Sequence, residues 1–385
     1  MATGTIGSLG TFQYALNSGW TSPRPLLDSD QSLVVVFGSP EFKNRTDVWN
    51  ELRNAFPSSH IVGCSTAGEI LGSRVFDATL SVVVKKFEHT SLSTASVPVR
   101  GTGDSFNSGA AIAHQLMRPG LRGVLVLSDG LNVNGTELVR GLTSVLPKEV
   151  TVSGGLAGDG SRFKETWVLH NGVPESGLVS AVGFYGDRVQ LGYGCKGGWS
   201  PFGPERTITK SRGNTLFELD GTPALELYKK YLGERAAELP ASGLLFPLAI
   251  RSTRGDATAV VRTILGVSEA EHSLTFAGDI PQGWTAQLMR ANFDWLVDAS
   301  AESARDACEN RRFNSESLTI AVSCVGRRLI LGERTEDELA AAKSSLPSDG
   351  QLIGFYSYGE LSPHATSLNC ELHNQTMTIT SIGEI

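Results

Sequence analysis

The stretch Leu33-Val34-Val35-Val36-Phe37-Gly38 decides the fold class, because it is a short, wholly apolar run that stops at a glycine. Such a run predicts a strand that is buried on both faces of a sheet. Residues 45–56 then place their apolar side chains on one face of a helix, and residues 61–63 begin a second apolar run. Strand, helix and strand in this order are typical of an α/β protein.

The same alternation continues along the chain. Further strands are predicted at 80–84, 123–127, 150–152, 166–170, 177–185, 259–265, 318–324, 352–356 and 377–380. Further helices are predicted at 110–117, 137–145, 223–232, 285–309 and 335–346, the last with a capping box of Thr335 and Glu338. We therefore predict an α/β to α+β fold with two domains, each a mixed β-sheet flanked by helices. A polar, alanine-rich connection at 234–242 sets the expected domains at 1–235 and 243–385.

Composition excludes several classes of protein. The 385 residues are 40% hydrophobic and 19% charged, which is too apolar for a disordered chain. A net charge of −7 offers no electrostatic footprint for nucleic acid. No apolar stretch approaches the roughly 20 residues of a membrane helix, and the N-terminus lacks the pattern of a secretory signal. The expectation is a soluble, cytoplasmic protein without membrane insertion.

Two glycine-rich turns follow predicted strands. Gly63-Cys64-Ser65-Thr66-Ala67-Gly68 resembles a nucleophile elbow, but Ala67 stands where that motif needs its second glycine. A tight turn with a buried Cys64, or backbone N–H groups beside Ser65 that receive an anion, are the other interpretations. The loop at 154–160 lacks dinucleotide spacing. Its Asp159 either pairs with Asp129 for acid/base work or shapes a turn.

Metal and thiol chemistry receive little support. The seven histidines include no HxH or HxxxH pair, and the five cysteines include no CxxC. Cys324 lies in an apolar strand before the cationic pair Arg327-Arg328. Nearby positive charge would lower the pKa of this thiol and make it reactive, whereas burial would make it inert, and both hypotheses stay open.

The densest polar signal lies in the last 32 residues. Glu360 follows a predicted strand, and His373-Asn374-Gln375-Thr376 precedes the final one. These side chains either cap a turn or line a polar pocket. Together with Arg262 and Arg327 they would hold a small zwitterion or carboxylate.

Several long motifs, in order, resemble those of the FIST family (F-box and intracellular signal transduction proteins). The FIST N domain is indicated by Val62-Gly63-Cys64-Ser65-Thr66-Ala67-Gly68-Glu69, Gly154-Gly155-Leu156-Ala157-Gly158-Asp159, Gly198-Trp199-Ser200-Pro201-Phe202-Gly203-Pro204 and the stretch from Leu219 to Gly233. The FIST C domain is indicated by Ser323-Cys324-Val325-Gly326-Arg327, Gly354-Phe355-Tyr356-Ser357-Tyr358-Gly359-Glu360 and His373-Asn374-Gln375-Thr376-Met377-Thr378. The resemblance covers nearly the whole chain.

The resemblance implies a sensory module and not an enzyme. It implies a small ligand, with amino acids as candidates, and an output through a partner such as a histidine kinase of a two-component system or a cyclic-di-GMP cyclase or phosphodiesterase. The length leaves no room for an F-box, kinase or cyclase, so the expected output lies in a partner protein. A homo-oligomer is a further hypothesis.

Within this interpretation we expect a ligand site near the domain junction. Its predicted residues are Arg327, Glu360, His373, Asn374, Gln375, Cys324, Arg262, Cys64, Ser65 and Asp159. Some stand-alone members are haem-binding nitric oxide sensors, so non-covalent haem b is an alternative cofactor, with axial candidates His373, His114 and His60. An enzyme that uses Cys64 or Cys324 as nucleophile is the alternative from another class.

Overall fold

The computed structural model describes residues 7–252, 259–309, 313, 316–348, 350–364 and 369–385. The strands are β1 (Leu9–Ala15), β2 (Gly19–Trp20), β3 (Ser32–Gly38), β4 (His60–Ser65), β5 (Glu69–Leu71), β6 (Arg74–Phe76), β7 (Thr79–Lys86), β8 (Ser91–Pro98), β9 (Leu121–Ser128), β10 (Thr151–Leu156), β11 (Val168–His170), β12 (Val173–Glu175), β13 (Leu178–Tyr185), β14 (Val189–Lys196), β15 (Trp199–Pro201), β16 (Arg206–Arg212), β17 (Thr215–Leu219), β18 (Thr222–Pro223), β19 (Leu248–Arg251), β20 (Val260–Arg262), β21 (Ile264–Ser268), β22 (Ser273–Phe276), β23 (Thr285–Ala291), β24 (Leu318–Cys324), β25 (Gln351–Ser357), β26 (Gly359–Pro363), β27 (Cys370–His373) and β28 (Met377–Glu384). The α-helices are α1 (Thr46–Ala55), α2 (Ser105–Leu116), α3 (Gly135–Val145), α4 (Ala224–Leu232), α5 (Phe293–Cys308), α6 (Val325–Leu331) and α7 (Thr335–Ser344).

The described strands form four sheets. The first sheet has the order β12-β11-β4-β3-β7-β1-β2, and the second has the order β27-β26-β10-β9-β13-β8. The third sheet has the order β14-β28-β24-β25-β5-β6. The fourth sheet has the order β20-β19-β23-β16-β17-β22-β21, with β15 on β23 and β18 on β17. Parallel and antiparallel pairs are mixed, so the predicted fold class is confirmed.

Three of these sheets share one structural unit. In each, a strand leads through helical structure into a parallel neighbour, and a later strand pairs antiparallel with the first strand on its other side. The units are β3-α1-β4 with β7, β9-α3-β10 with β13, and β24-α6-α7-β25 with β28. The chain repeats its architecture although the sequence shows no strong internal repeat.

Strands from the two ends of the chain pair with one another. In the third sheet, β5 and β14 lie on β25 and β28, and in the second sheet β26 lies on β10. The two expected domains therefore share sheets. The domain boundary in the connection 234–242 stays a prediction.

The core lies between stacked sheets, which explains the continuous apolar runs. Every residue of β3 and of β24 is buried, because both faces of these central strands are covered. Phe37 of the first sheet and Phe355 of the third stack with ring centroids 4.7 Å apart. No helix in the described part of the chain has both the length and the apolarity to cross a bilayer.

One predicted helix was partly wrong. Residues 285–291 form strand β23, and the helix begins only at Phe293. The sequence TAQLMRA is rich in good helix formers, but pairing with β19 and β16 overrides that local preference. The predicted capping box is also wrong. Thr335 is the first residue of α7, and Glu338 binds Arg327 instead.

Candidate functional site

A largely apolar cavity of about 530 Å³, which we call the central cavity, lies between the two expected domains. It lies where two parallel strand pairs end. Leu156 is the last residue of β10, and Gly130 lies just after β9, the parallel partner of β10. Cys324 is the last residue of β24, and Tyr358 lies just after β25, the parallel partner of β24. In α/β sheets, ligands bind in the crevice outside the carboxyl ends of the strands. The position and size of the central cavity are therefore those of a small-molecule site.

Most of the wall is apolar, and it comes from both expected domains. The apolar lining residues are Leu131, Val133, Leu156, Phe163, Pro240, Ala241, Leu244, Ile264, Leu265, Phe276, Ala277, Val325 and Leu329. Such a wall with a few placed polar groups is the usual form of a pocket that recognises one class of ligand.

The main polar group of the wall is Asp279. Its Oδ1 accepts a hydrogen bond of 3.1 Å from Asn134 Nδ2. Asn134 is also the N-cap of α3, where its Oδ1 accepts from the backbone N–H of Glu137 at 3.2 Å. This contact joins the two expected domains at the edge of the central cavity.

Two further polar residues stand in the wall. Asn214 Nδ2 donates to the backbone oxygen of Phe276 at 2.8 Å, which orients its amide. Thr263 is buried, and its Oγ1 has no hydrogen-bond partner among the described residues. An unpartnered buried hydroxyl is costly, and the Thr263 oxygen is itself enclosed by protein, so Thr263 contributes to the wall through its other atoms.

One side of the central cavity is an aromatic pair. The rings of Phe163 and Tyr358 stack with centroids 4.5 Å apart. Asp159 holds both, because its carboxylate accepts from the Tyr358 hydroxyl and, at 2.8–2.9 Å, from the backbone N–H groups of Phe163, Lys164 and Glu165. Burial alone would raise the pKa of Asp159, but these hydrogen bonds outweigh it and lower the pKa. Asp159 thus shapes the wall without lining it.

The carboxylate-pair interpretation of Asp129 and Asp159 receives no support from these contacts. Asp129 Oδ1 accepts from the backbone N–H groups of Leu131 and Asn132 at 2.8 and 2.7 Å. Its Oδ2 accepts from Thr166 Oγ1 at 2.9 Å. Both aspartates organise turns, and they thereby set the cavity-lining loops after β9 and β10.

The structure brings Cys324 to the central cavity but keeps Arg327 behind it. The Arg327 guanidinium pairs with Glu338 at 2.7 Å, with both side chains fully buried. It also donates to the backbone oxygens of Gly197 and Leu296 at 2.6 and 2.8 Å. Arg327 is therefore committed to partners inside the protein.

Glu360 is buried one layer behind Cys324. Its carboxyl accepts from Ser357 Oγ at 2.8 Å and from Thr376 Oγ1 at 2.9 Å. Burial raises the pKa of Glu360 to about 8, although these hydrogen bonds act in the opposite direction. The carboxyl therefore carries a proton at neutral pH.

The two amides of the C-terminal motif lie near the wall. Gln375 Nε2 donates weakly to the backbone oxygen of Leu244 at 3.4 Å, and its amide packs on Gly326. Its Oε1 and both amide atoms of Asn374 have no partner among the described residues. Leu244 and Gly326 line the central cavity, so Gln375 is separated from it by these residues.

Arg262 and His373, two of the three basic residues of the prediction, lie near each other but outside the lining. Arg262 is buried, and it donates to the backbone oxygens of Asp279 at 3.1 Å and Leu372 at 3.0 Å. Burial lowers the pKa of Arg262 to about 10. His373 Nε2 lies 3.1 Å from the backbone oxygen of Ser362, and burial lowers the pKa of His373 to about 3.

The first glycine-rich turn serves the core. Burial raises the pKa of Cys64 well above its usual value. Ser65 Oγ accepts from the backbone N–H of Trp167 at 3.0 Å. Burial, with Glu360 next in effect, also raises the pKa of Cys324. The shift is opposite to the one considered for Cys324 from the neighbouring arginines, because burial outweighs the lowering effect of Arg327.

The residues of the central cavity do not fit a haem. Among the described lining residues, only Cys324 and Tyr358 carry a side chain that can ligate haem iron. The Cys324 thiol holds its proton, and the Tyr358 hydroxyl binds Asp159. His60 lies in a separate polar groove with His170, and His114 is exposed on α2. The described residues also contain no cluster of three or more His, Cys, Asp or Glu placed for a metal.

Sequence reasoning missed Asp279, Thr263 and Asn214. A weak signal exists for Asp279, which follows a glycine just after strand β22. Asn134 only precedes the predicted helix 137–145 in the sequence. No local sequence pattern shows that these residues meet at one cavity. Asn134 and Asp279, for example, are 145 positions apart in the chain.

Comparison with known families identifies the class of protein. The model of the FIST N domain matches residues 32–222, and that of the FIST C domain matches residues 224–363. The chain belongs to the FIST family, whose domains are associated with signal-transduction sensing of small ligands. It is also similar to an uncharacterised protein of Methanocaldococcus jannaschii, with 22% identity over 374 residues, 86% of this chain and 69% of the archaeal protein.

Proposed function

We propose that this chain is a sensory protein that binds a small, largely apolar ligand in the central cavity and signals to a partner protein. The observation that carries the proposal is the composition of the wall. Gly130 and Leu156 belong to the part matched by FIST N, whereas Thr263 and Tyr358 belong to the part matched by FIST C. A ligand there contacts both parts at once.

Such contacts supply a route from binding to signalling. A ligand shifts a conformational equilibrium only by the difference in its affinity for the two states. The Asn134–Asp279 hydrogen bond and the Phe163–Tyr358 stack both join the FIST N and FIST C parts at the wall. A ligand that favours one arrangement of these contacts changes the geometry of the junction.

The partner class is proposed from the family resemblance. A histidine kinase or a cyclic-di-GMP enzyme is the output that the resemblance implies. Autophosphorylation or turnover of the candidate partner, measured with and without this protein and its ligand, tests this step. A partner whose activity changes only when both are present supports it, and unchanged activity in all partners assayed contradicts it.

Thermal-shift screening of the full chain tests the ligand site itself, because a ligand that binds only the folded state raises its Tm. The panel holds amino acids, amines, small aromatic compounds and haemin. Ala277→Trp places a large ring in the wall and is expected to abolish the ligand-induced shift. Ala340→Trp, on the exposed side of α7, is the matched control and retains it.

The outcomes separate the alternatives. A ligand that raises the Tm of Ala340→Trp but not that of Ala277→Trp supports the central cavity as its binding site. A ligand that binds both variants equally places recognition elsewhere on the molecule. A sharp Soret band with haemin would assign haem to this protein against the chemistry of the described lining residues.

A further inference from the structure

We infer that the central cavity selects ligands that carry a cationic amine on an apolar body, with Asp279 as the anchor of the amine. This inference rests on the proposed function and specifies its ligand class. The first observation concerns the charge of the cavity wall. Among the described residues that line the central cavity, Asp279 is the one with a formal charge.

A carboxylate in a largely apolar wall favours a cation strongly. Low surrounding polarity strengthens charge–charge interactions relative to water, and hydrogen bonds between ammonium and carboxylate are among the strong ones. A ligand carboxylate or phosphate would meet repulsion from Asp279 at the same place. The wall therefore discriminates by charge against anions.

The hydrogen bonds of Asp279 leave room for an ammonium group. A carboxylate has about four acceptor positions, and the Asn134 amide uses Oδ1 from one side at 3.1 Å. The backbone of Asp279 is held by Arg262, whose Nε donates to its carbonyl oxygen at 3.1 Å. The carboxylate is thus positioned before a ligand arrives, which reduces the cost of ordering it on binding.

The cation of Arg262 lies behind the wall, where it attracts the carboxylate of Asp279 without lining the cavity. Its Nη1 donates to the backbone oxygens of Val261 and Leu372 at 3.3 and 3.0 Å. It is buried and is not a lining residue of the central cavity. A ligand anion in the cavity would therefore meet Asp279 before it met Arg262.

The rest of the wall suits the body of such a ligand. Phe163 and Tyr358 present an aromatic pair, which binds apolar groups and also attracts a cation placed over a ring. An aryl or alkyl amine therefore suits both the carboxylate of Asp279 and the aromatic part of the wall.

A matched series of phenyl compounds tests the inference by calorimetric titration of the full chain. The series is 2-phenylethylamine, 2-phenylethanol, 3-phenylpropionate and L-phenylalanine, which share the ring and differ in charge. We expect the amine to bind at least about tenfold more tightly than the alcohol, the gain typical of a charge-assisted hydrogen bond. The carboxylate is expected to bind most weakly.

Asp279→Asn removes the charge and keeps an acceptor for Asn134. We expect this variant to bind the amine and the alcohol with equal affinity. Asp298→Asn removes an exposed charge of α5 that lies outside the cavity lining, and it is expected to keep the wild-type preference. Circular dichroism and Tm confirm that both variants are folded.

Each contrary result has a distinct meaning. Tighter binding of the alcohol or the carboxylate, or an amine preference that survives in Asp279→Asn, overturns the inference and leaves the proposed function. The inference is also overturned, and the proposed function kept, if none of the four compounds binds while the screen finds another ligand whose binding is abolished by Ala277→Trp. Absence of any cavity ligand overturns both.

Discussion

Arg327 and Glu338 form an ion pair that is completely enclosed by protein. Nη2 of Arg327 lies 2.7 Å from Oε2 of Glu338, and both side chains are 0% exposed. Glu338 also accepts hydrogen bonds from Ser323 Oγ and the Tyr356 hydroxyl at 3.1 and 2.7 Å. The pair therefore ties α6 and α7 to the third sheet, directly behind the wall of the central cavity.

Breaking this pair is expected to destabilise the protein severely. Arg327→Met leaves the carboxylate of Glu338 buried without its cation, which costs about 3–5 kcal/mol of the free energy of unfolding. Urea denaturation measures the loss. Arg334→Met, which breaks exposed pairs with Asp294 and Asp337, is the control and costs less than about 1 kcal/mol. Equal effects of the two variants would contradict this account.

The buried carboxyl of Glu360 makes stability depend on pH. Because burial raises its pKa to about 8, the folded protein keeps this proton at pH values where an unfolded chain, with its pKa near 4.5, has lost it. The free energy of unfolding therefore falls as the pH rises from about 4.5 to about 8. Urea denaturation at half-unit pH steps across this window measures the slope.

Glu360→Gln removes that titration while keeping a neutral polar side chain. Its slope should be shallower by up to about 1.4 kcal/mol per pH unit, the value for one proton. Glu69 continues to titrate, since burial raises its pKa to about 8 as well. Glu302→Gln, at an exposed position of α5, should keep the wild-type slope. A Glu360→Gln slope identical to wild type would show that Glu360 is ionised in the folded protein.

Asp159 is expected to control the mobility of the aromatic side of the cavity. Asp159→Ala removes the acceptor for the backbone N–H groups of Phe163, Lys164 and Glu165. These amides should exchange their hydrogens faster, and the free energy of unfolding should fall by about 1–3 kcal/mol. Asp159→Asn retains an acceptor and should show a smaller effect. Unchanged exchange rates in Asp159→Ala would mean that other contacts hold this loop.

The buried thiols are expected to be slow nucleophiles. Burial raises the pKa of Cys64 and of Cys324, and the thiolate is the reactive form. Iodoacetamide at pH 7.5 should modify both more than about tenfold more slowly in the native protein than in urea. Peptide mass spectrometry over time gives each rate. Rapid native labelling of Cys324 would instead favour the cysteine-dependent enzyme.

The chain contains a structural repeat that its sequence conceals. Glu69 accepts from the hydroxyl of Thr66, three residues earlier, and from the backbone and hydroxyl of Thr79, which begins β7. Glu360 does the same with Ser357 and with Thr376, which precedes β28. Over 63–69 and 354–360 the two stretches share this hydroxyl and carboxyl, which the contacts require, and two glycines, Gly63 with Gly354 and Gly68 with Gly359.

Most of the α-helices and the central strands of the first three sheets followed from local sequence. The apolar run ending at Gly38 and the run 318–324 are the buried strands β3 and β24, because a strand covered on both faces needs apolar side chains throughout. Several other strands, β1, β8 and β14 among them, were not predicted, and residues 285–291 were predicted as helix. Their strand exists only because β19 and β16 supply hydrogen-bond partners from distant parts of the chain.

Chain-local information thus indicated most helices, the central strands, the mixed α/β class and the FIST family, since periodicity and ordered motifs are written along the sequence. It also marked Cys324 and Asp159, both of which lie at or behind the wall of the central cavity. Tertiary structure alone decided that Arg327 and Glu360 face the interior while Asn134 and Asp279 meet at the cavity. The reason is physical: burial and pairing depend on which elements pack against each other, and no residue type or spacing specifies its neighbours across 145 positions.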